Sequence, residues 1–267
     1  MRLAWLTDIH LDFLSAGEIA ELGRRVAKLA PDGVVITGDI SVAKALGPDL
    51  LALVSTWRWP CWYVAGNHDY YGADIARVRR AMVALERHDP RLRWLPHAGV
   101  VPLDESTALV GIDGWADGRL GDPENTPVVL NDHVRIEDLL ADSRQGLLEV
   151  VRRLGDEEAA RLGTLLGEAL PPHEHVIVAT HVPPFREAST HQGKISGDDW
   201  LPWMTCHAVG ATLRSYAASH PTRRITVLAG HTHDACEVEI LPNLVVRTGA
   251  VEYGAPTVQA LLDTVEI

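Results

Sequence analysis

Several things are scarce in this chain of 267 residues. Cysteine occurs three times, at Cys61, Cys206 and Cys236. The number is odd and no C-x-x-C spacing occurs, so neither a disulfide framework nor a thiolate zinc site is expected. Each thiol reads as a small buried hydrophobe, in keeping with a reducing cytoplasm. No uncharged apolar stretch reaches the roughly 18 residues of a transmembrane helix, so no membrane association is expected. The opening run Met1-Arg2-Leu3-Ala4-Trp5-Leu6-Thr7-Asp8 meets a carboxylate before a signal-peptide core can form. A cytoplasmic location is therefore the expectation. Positive charge is in deficit, with 24 Lys and Arg against 36 Asp and Glu and a net charge of −12. A protein that grips a nucleic-acid backbone normally shows the opposite balance, so long nucleic acid is not an expected partner. A small phosphorylated substrate stays open, because bound cations reverse the field locally. Internal repeats and low-complexity tracts are absent, and nothing in the sequence speaks to oligomeric state.

What is present is ordinary globular material, 46% hydrophobic and 22% charged. Short apolar runs at 2–7, 33–37, 61–65 and 107–112 read as strands, and 18–29, 49–56 and 73–87 as helices. This alternation predicts a layered α/β architecture. Residues 134–170 read as largely helical, closed by Pro171 and Pro172. Strand signals return at 176–180, 224–229, 237–241, 244–248 and 257–262, with Leu241-Pro242-Asn243-Leu244 as a tight connection. Two loops, about 113–133 and 182–206, are long for a compact domain, and such loops usually carry function. One domain over 1–267 with these two insertions is the simplest organisation, and the insertions are candidates for a lid that selects the substrate.

Five short segments each follow a predicted strand: Asp8-Ile9-His10, Gly38-Asp39, Gly66-Asn67-His68-Asp69, Thr180-His181 and Gly230-His231-Thr232-His233. Side chains just past strand carboxyl ends converge on one crevice in α/β sheets. Carboxylates, imidazoles and an amide oxygen without thiolate suit divalent Mn, Fe, Zn, Co or Ni. In an extended segment the i and i+2 residues point the same way, which would pair Asp8 with His10 and His231 with His233. The glycines permit torsions or close approaches that a Cβ hinders. Asp39, with two oxygens, has the chemistry to bridge two cations, and a pair roughly 3.5–4 Å apart is a clamp for phosphoryl transfer.

The ordered set D-x-H, G-D, G-N-H-D, H, G-H-x-H resembles the calcineurin-like metallophosphoesterase superfamily over residues 8–233. The resemblance implies a four-layer α/β fold, a central β-sandwich flanked by helices with the metal site at the strand C-terminal ends. It implies two divalent metal ions, one held by Asp8, His10, Asp39 and His233 and the other by Asp39, Asn67, His181 and His231. With Asn67, His68 and Asp69 form the implied catalytic group: His68 beside the phosphoryl group and Asp69 orienting its ring. The implied activity is hydrolysis of a phosphomonoester or phosphodiester by a metal-bound hydroxide.

The chain departs from the family in places. Many members read G-D-x-x-D, and here Gly38-Asp39-Ile40-Ser41-Val42 lacks the second acid, so a hydrogen bond near Asp39 is expected to differ. The D-R-G-P-like extension of protein Ser/Thr phosphatases is missing. His68 stands where the lipid A pathway pyrophosphatases carry Arg. The stretch from Thr180 through Pro183-Pro184-Phe185 to Asp199-Trp200-Leu201-Pro202 looks like a bacterial subfamily without an associated substrate. A nuclease, a protein phosphatase and a non-catalytic binding protein on the same fold remain the alternatives.

Around the motifs, Tyr70 and Tyr71 are read either as the pocket rim or as packing. Trp115 and Arg119 follow a strand and are candidate substrate contacts. Arg186, His191 and Lys194 lie in the second long loop, where a cation meets a phosphate oxygen or is merely solvated. Trp57, Trp59, Trp62 and Tyr63 are read as packing against the sheet in preference to a base-stacking platform. The Arg77, Arg79, Arg80 cluster is read as a solvated helix face. Histidines 88, 97, 133, 173, 175, 207 and 220 are read as mostly surface residues.

Overall fold

A computed structural model describes residues 1–265 of the chain. β1 (Arg2–Leu6), β2 (Gly33–Thr37), β3 (Cys61–Val64) and β4 (Leu92–Trp94) pair in parallel. β5 (Val101–Pro102), β6 (Thr107–Gly111) and β7 (His175–Ala179) begin a second sheet. β8 (Thr190–His191) and β9 (Lys194–Ile195) form a separate hairpin. β10 (Arg224–Ala229), β11 (Cys236–Leu241) and β12 (Leu244–Thr248) complete the second sheet, in the order β11-β12-β10-β7-β6-β5. Finally β13 (Ala260–Asp263) returns antiparallel to β1, giving the first sheet the order β13-β1-β2-β3-β4.

Side-chain alternation sorts these strands into layers. Leu3, Trp5, Val35, Trp62 and Val64 face Leu109, Ile177, Ala179 and Leu228 of the other sheet, and together they fill the seam of a sandwich. The alternate residues Ala4, Leu6, Val34, Ile36 and Tyr63 turn outward onto helices Ala16–Lys28, Leu46–Leu53 and Ile75–His88. On the far side Val110, Val176, Val178, Ile225 and Val227 meet helices Arg144–Ala169 and His207–Ser219. The architecture is thus helix, sheet, sheet, helix, as the family resemblance implies.

Three helix starts follow side-chain caps. Ser15 and Glu18 form a reciprocal capping box, so the first helix begins at Ala16, two residues ahead of the periodic pattern. Asp74 caps Ile75–His88 and Ser143 caps Arg144–Ala169. The stretch expected as largely helical from 134 is broken: turns Asp132–Arg135 and Glu137–Leu139 precede the long helix. No helix among the described residues is long and apolar enough to cross a membrane.

The two long segments lean on each other. The Asp117, Gly118 and Asp122 amides donate to the carbonyls of Thr205, Pro202 and Asp198 at 3.2, 3.0 and 2.8 Å, and Thr126 Oγ1 donates to the Asp199 carbonyl at 2.6 Å. Two surface readings need correction. Arg79 is no solvated cation: its guanidinium reaches Glu158 at 2.7 Å and Asp113 at 3.2 Å, both buried. His173 and His175 are buried, with Nδ1 of His173 on the Ala169 carbonyl and Nε2 of His175 on Thr226 Oγ1.

Candidate metal centre

The five motif segments leave the C-terminal ends of β1, β2, β3, β7 and β10, so the site straddles the seam with contributions from both sheets. Their backbone is unusual. Asp8, His10, Asp39, His231 and His233 all adopt positive φ, from 39° to 71°. Such torsions cost non-glycine residues free energy and persist where surrounding structure enforces them, commonly at functional sites. Here the enforcement is hydrogen bonding: Asp8, His10 and Leu11 amides donate to the carbonyls of Gly38, Asp39 and Ile40 at 3.0, 3.0 and 2.7 Å. These torsions correct the i,i+2 argument. The paired residues converge through left-handed turns, not through the pleat, and His231 and His233 serve neighbouring clusters.

In the first cluster, Asp8, His10, Asp39 and His233 each bring one ligand atom within 4.8 Å of all the others. The His10 and His233 Nε2 atoms face each other at 3.2 Å, and His233 Nε2 is 3.4 Å from Asp8 Oδ1. Asp8 is braced by Thr7 Oγ1, which donates at 2.6 Å, and by the His231 amide at 3.0 Å.

The second cluster holds Asn67, His181 and His231. Asn67 Oδ1 lies 2.9 Å from His181 Nε2 and 3.0 Å from His231 Nδ1, and these two nitrogens are 3.2 Å apart. Their outer partners settle the proton positions. His181 Nδ1 sits 2.9 Å from the Thr37 carbonyl and His231 Nε2 2.9 Å from the Trp203 carbonyl, and a carbonyl only accepts. Asn67 Nδ2 donates to Asp132 Oδ1 at 2.8 Å, which turns its oxygen inward. In neutral rings, three lone pairs therefore face one another with no proton between them. That arrangement is repulsive alone and suits a cation, and carbonyl partners of this kind fix the tautomer of ligating histidines. Asp39 connects the clusters: Oδ1 is 3.3 Å from His181 Nε2, while Oδ2 is 3.9 Å from His10 Nε2. Gly66 is required here, because a Cβ would overlap the Asp39 carboxylate.

Electrostatics tell the same story. Burial lowers His10 and His181 to about 3 and His68 to about 4, which keeps all three rings neutral and leaves His10 and His181 each a lone pair for a cation. Burial and the nearby Asp8 and Asp69 charges push Asp39 well above the usual carboxylate range. Burial also raises Asp8, but the hydrogen bond with His233 and the surrounding imidazoles outweigh it and leave the carboxyl low. Two divalent cations fit this donor set of carboxylates, imidazoles and an amide oxygen.

The remaining candidates divide. His68 stands at the mouth, stacked on Tyr71 with centroids 4.3 Å apart and Nε2 3.8 Å from Asp39 Oδ2. Asp69 does not orient it. The Asp69 carboxylate is buried and accepts the amides of Ile40, Ser41 and Gly66 at 2.9, 2.8 and 2.8 Å, stitching the second and third motifs together where the G-D-x-x-D acid is lacking. Burial raises it to about 8. Tyr70 does not rim the pocket: it is buried and its hydroxyl donates to Asp113 at 2.7 Å. Trp115 is likewise buried against Tyr70, out of reach of substrate. Arg119 is held by Asp117 and Asp156 at 3.0 and 2.8 Å, and Arg186 by Asp198. His191 lines a cavity that also touches His231.

Sequence reading missed Asp132 and the aromatic pair Phe13 and Tyr253. The Tyr253 ring lies 4.5 Å from His10, 4.9 Å from His233 and 5.0 Å from Phe13. None of these belongs to a motif, and no local signal marks them.

A model of calcineurin-like phosphoesterases matches residues 1–235. The chain belongs to that family. Among solved structures of this fold, phosphopantetheinyl hydrolase from Mycobacterium tuberculosis is similar with a TM-score of 0.69 at 16% identity, over 94% of this chain and 89% of its own. A dimetal phosphatase from Danio rerio gives 0.62 at 13% identity, over 94% and 87%. GAP50, described as the anchor in the inner membrane complex of Plasmodium, gives 0.54 at 14% identity, over 94% and 71%. At such identities the likeness is one of fold. No curated protein matches the sequence.

Proposed function

We propose that this calcineurin-like protein is a dinuclear, metal-dependent phosphoesterase acting on a small phosphomonoester or phosphodiester. The observation that carries the reading is the inward-facing lone-pair set of Asn67, His181 and His231, joined through Asp39 to the cluster of Asp8, His10 and His233. A cation pair held by these residues would supply an activated water near neutral pH and charge neutralisation at phosphoryl oxygens. Around it, Asp39 spans the two clusters, Asn67 is presented oxygen-first by Asp132, and the Thr37 and Trp203 carbonyls hold His181 and His231 in register. His68, stacked on Tyr71 at the mouth, is placed to donate a ring N–H to the departing oxygen.

The family fold alone does not choose between catalysis and binding, since a dimetal phosphatase and an anchor protein share it. The complete donor set, with His68 beside it, favours catalysis. The acidic balance favours a small substrate over long nucleic acid. Asp39→Asn tests the reading. Added Mn²⁺ should drive hydrolysis of p-nitrophenyl phosphate or bis-p-nitrophenyl phosphate by the wild type. The variant should lose turnover and bound metal while keeping its circular dichroism spectrum. Full activity in the variant contradicts the bridging role of Asp39.

A further inference from the structure

His231 has a second neighbour besides the metal centre. Its ring helps line a cavity of about 280 Å³ that runs beneath the β8–β9 hairpin. Ile195, Trp200 and Met204 supply apolar walls, and His191 and Lys194 supply the basic groups. Ile195 and Trp200 are 51% and 49% exposed and share the wall of one cavity, so their apolar surface is clustered and not scattered. Among the described residues no carboxylate lines the cavity, although acidic residues outnumber Lys and Arg by 36 to 24 in the chain. Lys194 enters no ion pair among the described residues.

The walls are held in place. The Ser196 amide donates to the Ser189 carbonyl at 2.9 Å, closing the base of the hairpin. At its tip the Gly193 amide donates to Asp234 Oδ2 at 2.9 Å, and Asp234 directly follows His233. The hairpin is thereby tied to the same turn that carries the metal-centre histidines. A pocket fixed before binding loses less affinity to ordering its own side chains.

We propose that this cavity receives the organic part of the substrate, and that this part is a planar apolar ring bearing a negative charge of its own. The inference rests on the phosphoesterase reading only for where the phosphoryl group sits. Ligand pockets occupy roughly 300–1,000 Å³, so a cavity of about 280 Å³ sits at the small end and suits a single-ring fragment, with the phosphoryl group outside it at the metal centre. A flat ring stacks on the Trp200 indole and contacts Ile195 and Met204. An anion on that ring meets the Lys194 ammonium, with His191 beside it as a hydrogen-bond donor.

The test uses three phosphonates that cannot be hydrolysed: methylphosphonate, benzylphosphonate and 4-carboxybenzylphosphonate. Their dissociation constants are measured by titration calorimetry on the Mn²⁺-loaded protein. Benzylphosphonate should bind about tenfold more tightly than methylphosphonate from apolar burial. The carboxylate should add roughly threefold, as expected of a partly exposed ion pair. Trp200→Ala and Ile195→Ala should each shrink the benzyl gain without altering methylphosphonate affinity, and Lys194→Met should remove the carboxylate gain alone. Equal binding of the methyl and benzyl compounds by the wild type overturns the proposal, as does a benzyl gain that survives Trp200→Ala. Butylphosphonate binding as tightly as the benzyl compound rules out the planar ring. Removing metal with EDTA judges the metal-centre reading separately. If methylphosphonate affinity is unmoved, that reading fails, while the benzyl increment still reports on the cavity.

Discussion

The Asn67 amide presents its oxygen to His181 and His231 because Asp132, 65 residues further along the chain, takes its NH₂ group. Tyr71 donates its hydroxyl to the same Asp132 oxygen at 2.6 Å while its ring supports His68. Asp132 is therefore a positioning residue for both an inward donor and the histidine at the mouth. Asp132→Ala frees the amide to rotate, and loss of such an outer partner typically costs about 10–100-fold in metal affinity or activity. The expected outcome is weaker binding of one of two metal equivalents, read by equilibrium dialysis with elemental analysis, in a protein that still unfolds cooperatively. Two tight equivalents in the variant would rule this role out. The motif residues themselves are legible because each follows an apolar strand, whose carboxyl end has only one crevice to face. Asp132 and Tyr253 are not, because no spacing marks them and only tertiary packing brings them to the centre. Tyr70 and Trp115 misled for the opposite reason: one adjoins a motif residue and the other follows a strand, yet both turn away into the core.

Strands were the most readable elements, since β-branched runs bounded by Gly and Pro have few other fates. Helix starts were less so, because a cap overrides the hydrophobic period by a residue or two, as Ser15 does for the first helix. The seam between the sheets holds a feature that no periodicity reveals. Trp62 of β3 lies across Gly33 of β2, and a Cβ on Gly33 would overlap its indole. The glycine is thus the recess that lets a tryptophan fit between two packed sheets. Gly33→Ala should destabilise the fold by roughly 1–3 kcal/mol, the usual cost of overpacking. Urea denaturation measures this, and metal stoichiometry should be unaffected, because Gly33 lies at the opposite end of β2 from Asp39. An unchanged midpoint would show that the seam has slack there.

Across the whole molecule, one buried charge network joins parts of both halves. Asp113, just past β6, accepts from Tyr70 Oη, Trp94 Nε1 and the Ala65 amide at 2.7, 2.8 and 3.0 Å, and Arg79 bridges it to Glu158 on the long helix. Burial, then the Asp113 charge, raises Glu158 from an ordinary 4.5 to about 7, against the pull of Arg79. A carboxyl whose folded value is raised adds stability that is complete below about pH 4.5 and is lost as pH climbs through about 7. Wild-type stability should therefore decline across that window by on the order of 1–3 kcal/mol from this group. Glu158→Gln should flatten the decline in urea titrations run from pH 4.5 to 8. The same slope in both proteins would remove Glu158 as its source. The charge balance was legible from composition. The network was not, because a lone Arg on an Arg-rich helix gives no sign of the carboxylates waiting across the fold.

The site at the seam also sets when the molecule becomes competent. Asp8, His10, Asp39 and Asn67 hang from the first sheet, and His181, His231 and His233 from the second, while β13 completes the first sheet last of all. The first sheet alone thus supplies three of the four donors of one cluster and only Asn67 of the other, and completes neither. Both donor clusters are thereby completed only where the two halves of the sandwich dock.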